Sequence, residues 1–117
     1  MIAGIQAALS GLQAFATKTE NNANNIANMN TDGFKKDRVV LSAQPPQGVK
    51  ATLEQLNTPG TVVAESTDQG FQMIEQSNVD LSEEIPEMLL NKYGYTANLK
   101  TLQTADQMMQ SLLDIKA

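Results

Sequence analysis

The chain has 117 residues, a net charge of −5, no Cys, no His and no Trp, with 41% hydrophobic residues but only 4% aromatics. That size fits one domain with a thin aliphatic core in which Met fills gaps. Thiol nucleophiles, disulfides, imidazole bases and ordinary zinc sites are excluded, and the acidic balance argues against nucleic acid as a partner.

The charge is uneven. Residues 1–36 hold Lys18, Lys35 and Lys36 against Glu20 and Asp32, a net of +1, so the remainder carries −6. No apolar run approaches the roughly 20 residues of a membrane span, so direct membrane insertion is not expected. The opening Met1-Ile2-Ala3-Gly4 lacks a basic n-region, and no Gly follows Met1 to accept myristate. Any export is expected to use a route without a cleaved signal peptide.

The first predicted element is a long helix. Ile2, Ile5, Leu9, Leu12, Ala16, Thr19, Ala23 and Ile26 recur at alternating spacings of three and four, the a/d seam of a coiled coil. The seam is bulky at its start and small from Ala16 onward, where it buries little area. Gly4 and Gly11 oppose the helix by about 1 kcal/mol each. The remaining surface lacks dense Glu/Lys pairs and holds Ser10, Gln13, Thr17 and asparagines, which suggests contacts on several sides.

Six asparagines fall within residues 21–30, followed by Asp32-Gly33-Phe34. Asparagine is a poor interior helix residue because its amide competes for backbone groups. The stretch therefore reads as a helix end whose amides find partners on another protein surface. Gly33 is expected at the C′ position, left-handed and capping the last carbonyls, with Phe34 supplying the accompanying apolar contact.

Residues 34–79 change character. Strands are predicted at 38–42, 49–53, 61–64 and, more weakly, 70–74, from β-branched and alternating patterns. Asn57-Thr58-Pro59-Gly60 reads as a type II turn, with 61–64 as the returning strand. Such an insert is too small to bury a full core alone.

A second long helix follows. Asp80-Leu81-Ser82-Glu83 has the form of a capping box, and Glu83, Glu84 and Glu87 suit the positive end of a helix dipole. Ile85, Met88, Tyr95, Leu99, Leu102, Met109 and Leu113 follow the three/four spacing. Both helices come to about 45–50 Å. The expected fold is mainly α with a small β insert. Long N- and C-terminal helices pair as an antiparallel coiled-coil hairpin, divided as 1–33, 34–79 and 80–117.

Two motifs resemble a known family. Asn-Asn-Ile-Ala-Asn-Met-Asn-Thr-Asp-Gly-Phe-Lys at 24–35 is similar to the N-terminal signature of bacterial flagellar rod, hook and hook-associated proteins. Ser77-Asn78-Val79-Asp80-Leu81, Glu84, Met88, Tyr95-Thr96-Ala97-Asn98 and Thr104-Ala105-Asp106-Gln107-Met108 resemble the family's C-terminal motif. The matches cover 1–36 and 77–117. Lys92-Tyr93 departs from the family's usual Gln-Arg, keeping a cation but losing the bidentate arginine fork.

The resemblance implies a structural subunit of the flagellar basal-body rod, and the length is most like a short proximal-rod protein. Such subunits pass through the flagellar type III export apparatus and stack helically, in the periplasm-spanning rod, with other copies and other rod and hook proteins. No cofactor, metal or small-molecule substrate is implied. The expected assembly interface comprises Leu9, Leu12, Asn21, Asn24, Asn25, Ile26, Asn28, Asn30, Thr31, Gly33, Phe34, Tyr95, Asn98, Leu99, Leu102 and Met109. Another axial component, of the hook or rod–hook junction, and a helical-hairpin export chaperone or adaptor are the alternatives.

An enzyme is disfavoured: without His, Cys or a Gly-rich phosphate loop, only Glu83, Glu84 and Glu87 offer acid/base chemistry, and helix starts favour acidic residues anyway. A membrane-surface helix at 1–15 lacks the Lys and Arg that anionic lipids attract.

Overall fold

The computed structural model describes residues 1–116, in the order α1 (Ile2–Ala27), β1 (Asp37–Ala43), β2 (Val49–Gln55), β3 (Val62–Thr67), β4 (Gly70–Glu75) and α2 (Leu81–Lys116). Two long terminal helices flank four short strands, as the periodicities predict. α1 has no side-chain cap and no acidic residue in its first turn, so its stability comes from packing on α2 and on the first hairpin.

α1 stops at Ala27, earlier than the Gly33 cap predicts. Consecutive turns follow, with Thr31 N donating to Asn28 O and Phe34 N to Thr31 O. Gly33 does adopt a left-handed conformation, φ +70°. Its N–H, however, donates to the Glu75 carbonyl at 2.8 Å. It ties the helix exit to β4 and leaves the α1 carbonyls to Asn28 and Met29.

The helices are antiparallel. Gly11 meets Asn98, Phe15 meets Gly94, Asn22 meets Asn91 and Asn25 meets Glu84, so α2 numbers fall as α1 numbers rise. The pairing face of α1 is Ala8, Gly11, Phe15, Lys18, Asn22 and Asn25, still spaced three and four. It is not the predicted seam. Ile2, Ile5, Leu9, Leu12, Ala16, Thr19, Ala23 and Ile26 are all partly or fully exposed and lie roughly a quarter turn of the helix away. On α2, Ile85, Tyr95, Leu99, Met109 and Leu113 are likewise exposed. The buried face uses small and amide side chains because they let the backbones approach closely. The bulky stripe is left on the flank.

Asp80 caps α2, its Oδ1 accepting from Ser82 N at 2.9 Å and from Ser82 Oγ at 2.7 Å. These bonds, with the nearby Lys36 charge, lower the Asp80 pKa. Glu83 does not complete a capping box but pairs with Lys36 Nζ at 2.8 Å. Pro86 is the sixth residue of the helix, past the orphan N–H groups of the first turn, so it forgoes one intrahelical bond, to the Ser82 carbonyl.

The strands form two separate antiparallel hairpins. β1 pairs with β2, Val40 opposite Thr52, and β3 pairs with β4, Ala64 opposite Met73. The Asn57–Gly60 segment therefore joins two hairpins instead of turning β2 back on a returning strand. β1 and β2 lie along α1, where Val49 N donates to Ser10 Oγ at 3.1 Å and Gln47 Nε2 to Gln6 Oε1 at 2.8 Å. The β3–β4 hairpin packs on neither helix. Phe71 and Met73 stand 83% and 77% exposed on it.

The result is a rod 81 Å long and 24 × 19 Å across. Its accessible surface is 8184 Å², against roughly 6200 Å² for a compact monomer of this mass. Among the described residues, Ala8 and Ala14 are the fully buried hydrophobic side chains.

Candidate assembly interface

The asparagine stretch divides into an inward and an outward set. Asn22 and Asn25 are buried. Asn22 Nδ2 donates to Glu84 Oε2 at 2.7 Å, Asn91 Nδ2 donates to Asn22 Oδ1 at 2.6 Å, and Asn25 Nδ2 lies 3.4 Å from Glu84 Oε1. Asn25 also clasps the start of β1: its Nδ2 donates to Asp37 O at 2.8 Å, and its Oδ1 accepts from Asp37 N at 3.2 Å. Asn21 Nδ2 reaches the same carbonyl at 2.8 Å.

This corrects the expectation that the amides lack partners within the chain. Asn25, at 0% exposure, ties its own helix to β1 and to Glu84 of α2. Asn21 is half-buried and ties the helix to β1 as well. Asn24, Asn28 and Asn30 form the outward set. Asn28 Nδ2 donates to Asn24 O at 2.9 Å, and Asn28 Oδ1 accepts from Thr31 Oγ1 at 3.1 Å. Asn24, Asn30 and Thr31 remain exposed.

Glu84, Asn22 and Asn91 are missing from the predicted interface. The signal was present in the spacing: Asn22 and Asn25 are three apart, and Glu84 and Asn91 seven apart, so each pair shares one face. Asn78 is a further unpredicted position. Its Oδ1 accepts from Lys36 N at 2.6 Å, and its Nδ2 donates to Leu56 O at 2.9 Å and Thr58 O at 3.0 Å. One side chain thus ties the chain entering β1 to the chain leaving β2. Phe34 is half-buried beside it, with its carbonyl accepting from Asn78 N at 3.3 Å.

The three glutamates of the α2 start do not converge. Glu83 pairs with Lys36, Glu84 is enclosed by amides, and Glu87 lies 3.4 Å from Lys18 Nζ. Glu75 belongs to the base of the second hairpin. Its pKa is lowered by the hydrogen bond from Lys35, by the Gly60 N–H at 2.9 Å, and by the Lys35 charge, against a smaller opposing effect of burial.

Leu9, Tyr95 and Leu99 lie on the exposed flank, with Leu12, Ile26 and Leu102 half-buried. Between the helices on this side runs a groove of about 650 Å³, walled by Ala16, Thr19, Ala23, Tyr95, Thr96 and Leu99, with Glu20 and Lys92 on its rims. Its lining is almost entirely apolar. Asn98 points instead into the helix pair, where its side chain fills the space over Gly11. Met109 lies farther along α2, exposed.

Two family descriptions match the chain: "Flagella basal body rod protein" over residues 5–35, and "Flagellar basal body rod FlgEFG protein C-terminal" over residues 69–115. The flagellar basal-body rod protein FlgG of Bacillus subtilis is 31% identical over 87 residues, which is 74% of this chain and 31% of that protein. The flagellar hook protein FlgE of Borreliella burgdorferi is 41% identical over 44 residues, 38% of this chain and 10% of that protein. That of Caulobacter vibrioides is 44% identical over 43 residues, 37% of this chain and 7% of that protein. The chain thus spans about a third of the rod relative and a tenth or less of these hook relatives. With both terminal motifs matched in order on a paired-helix scaffold, the chain belongs to the flagellar rod and hook family of axial structural proteins.

Proposed function

We propose that the chain is a structural subunit of the flagellar basal-body rod, exported by the flagellar type III apparatus and assembled helically through its terminal helices. Its partners are other copies and other rod and hook proteins, and the exposed flank of the helix pair is the surface that meets them. One observation carries this reading. An apolar stripe with the regularity of a packing seam, from Ile2 to Ile26, is only partly covered by the subunit's own fold, with Ile2, Leu9 and Ala23 exposed and the rest half-buried.

The surplus of roughly 2000 Å² of surface over a compact monomer is enough for more than one interface of about 800 Å² per partner. The similarity to FlgG extends over 87 residues and those to the hook proteins over 43 or 44, which favours rod over hook.

Deletion of the chain followed by inspection of purified basal bodies tests the proposal. A shaft that stops within the rod is expected. A complete rod lacking only the hook favours the hook reading, and normal filaments with normal motility overturn both. Leu9→Asp and Leu99→Asp, on exposed positions of the flank, are expected to leave secretion intact while abolishing rod growth.

A further inference from the structure

We propose that the last three turns of α2, residues 107–116, dock in the α1–α2 groove of a second copy of this chain. The inference rests on the assembly reading above and gives it a specific contact. Extending the register set by Gly11 and Asn98 brings the start of α1 opposite residue 107 of α2. Beyond that point the described residues of α2 are all exposed, up to Lys116. An isolated helix of about ten residues is marginal in water.

This overhang is apolar on more than one side. Leu112, Leu113 and Ile115 are 57%, 68% and 82% exposed. Met109, Leu112 and Leu113, at i, i+3 and i+4, share the face by which such a helix seats in a groove.

The groove is complementary in size and charge. Ala16 and Ala23 leave it hollow, Tyr95 and Leu99 give it apolar walls, and Glu20 and Lys92 mark its rims. The overhang brings Asp114 and Lys116, one charge of each sign, to meet them. A subunit cannot fill its own groove, because along a straight α2 the overhang lies about 25 Å from the groove's centre. Two parallel copies offset by that distance bring overhang and groove together. Donor and acceptor surfaces differ, so the contact repeats without closing.

The chain has no cysteine, so an introduced pair reports one contact. The full-length variant carrying Leu113→Cys and Ala23→Cys, both at exposed positions, is oxidised at high protein concentration. A ladder of disulfide-linked multimers is expected, while either single variant stops at dimer. Leu113→Asp, measured by analytical ultracentrifugation, is expected to weaken self-association about tenfold or more, since it places a charge in an apolar contact. Self-association that gives no ladder and is unchanged by Leu113→Asp overturns this contact and leaves the assembly reading standing. A chain that stays monomeric at millimolar concentration overturns the contact and counts against the assembly reading as well.

Discussion

The ring of Phe15 occupies the space in which a β-carbon on Gly94 would stand. Four residues away the relationship is reversed: the side chain of Asn98 occupies the space over Gly11, with its Oδ1 2.6 Å from where a β-carbon would sit. Each helix thus sets one large side chain against a glycine of the other. Two glycines that weaken the helices locally are what allow the close approach.

Gly94→Ala is expected to destabilise the fold by about 1–3 kcal/mol, because overpacking against a rigid ring outweighs the gain in helix propensity. Gly11→Ala is expected to cost less. It meets the end of a polar side chain that turns away, at the expense of the Asn98 Nδ2 bond to Gly94 O, 2.9 Å. Urea unfolding of the two variants checks the order.

The buried amide cluster gives a second prediction. Glu84→Gln substitutes an NH₂ for one carboxylate oxygen, facing either Asn22 Nδ2 or Asn25 Nδ2, donor against donor. A loss of about 1–3 kcal/mol is expected. Asn22→Ala and Glu84→Ala are expected to be strongly non-additive in a double-mutant cycle, since the first removes a partner that the second also loses.

Asn25→Leu is expected to impair folding before assembly, because it strips Asp37 N of its side-chain partner, leaves Asp37 O with Asn21 alone and buries an apolar group beside Glu84. Asn28→Leu, on the outward set, is expected to keep the monomer's melting temperature. Circular dichroism of both purified proteins separates the two roles.

The pH dependence follows from Glu75 and Asp80. Both pKa values are lowered in the folded chain, by the Lys35 and Ser82 hydrogen bonds respectively. Each therefore contributes stability that is present above its ordinary carboxylate pKa and is lost as the pH falls through the lowered folded value. Amide exchange at Gly60 and Ser82, whose N–H groups donate to these carboxylates, is expected to accelerate in that acid window. Glu75→Gln is expected to remove the pH dependence at Gly60 only.

Asn78→Ala removes the three backbone bonds that join the entry of β1 to the exit of β2. Faster hydrogen exchange at Lys36 is expected, with the α1–α2 pair still protected.

The sequence by itself determined the elements. Three/four spacing marks long helices, alternation and β-branching mark short strands, and Asp80 marks the start of α2 whatever lies around it. These are local preferences that each segment carries alone. The two terminal motifs also sufficed to place the chain in its family.

The tertiary structure decided which face of each helix turns inward. Periodicity finds an apolar stripe but does not say whether it covers the subunit's own partner or a neighbour's. Here close backbone approach at Gly11 and Gly94, and complete hydrogen bonding among Asn22, Asn25, Asn91 and Glu84, hold the small and amide faces together. The aliphatic stripe is left outside for want of any internal surface to meet it. Those amide partners lie some 60–70 residues apart in sequence, and only the paired helices bring them within reach.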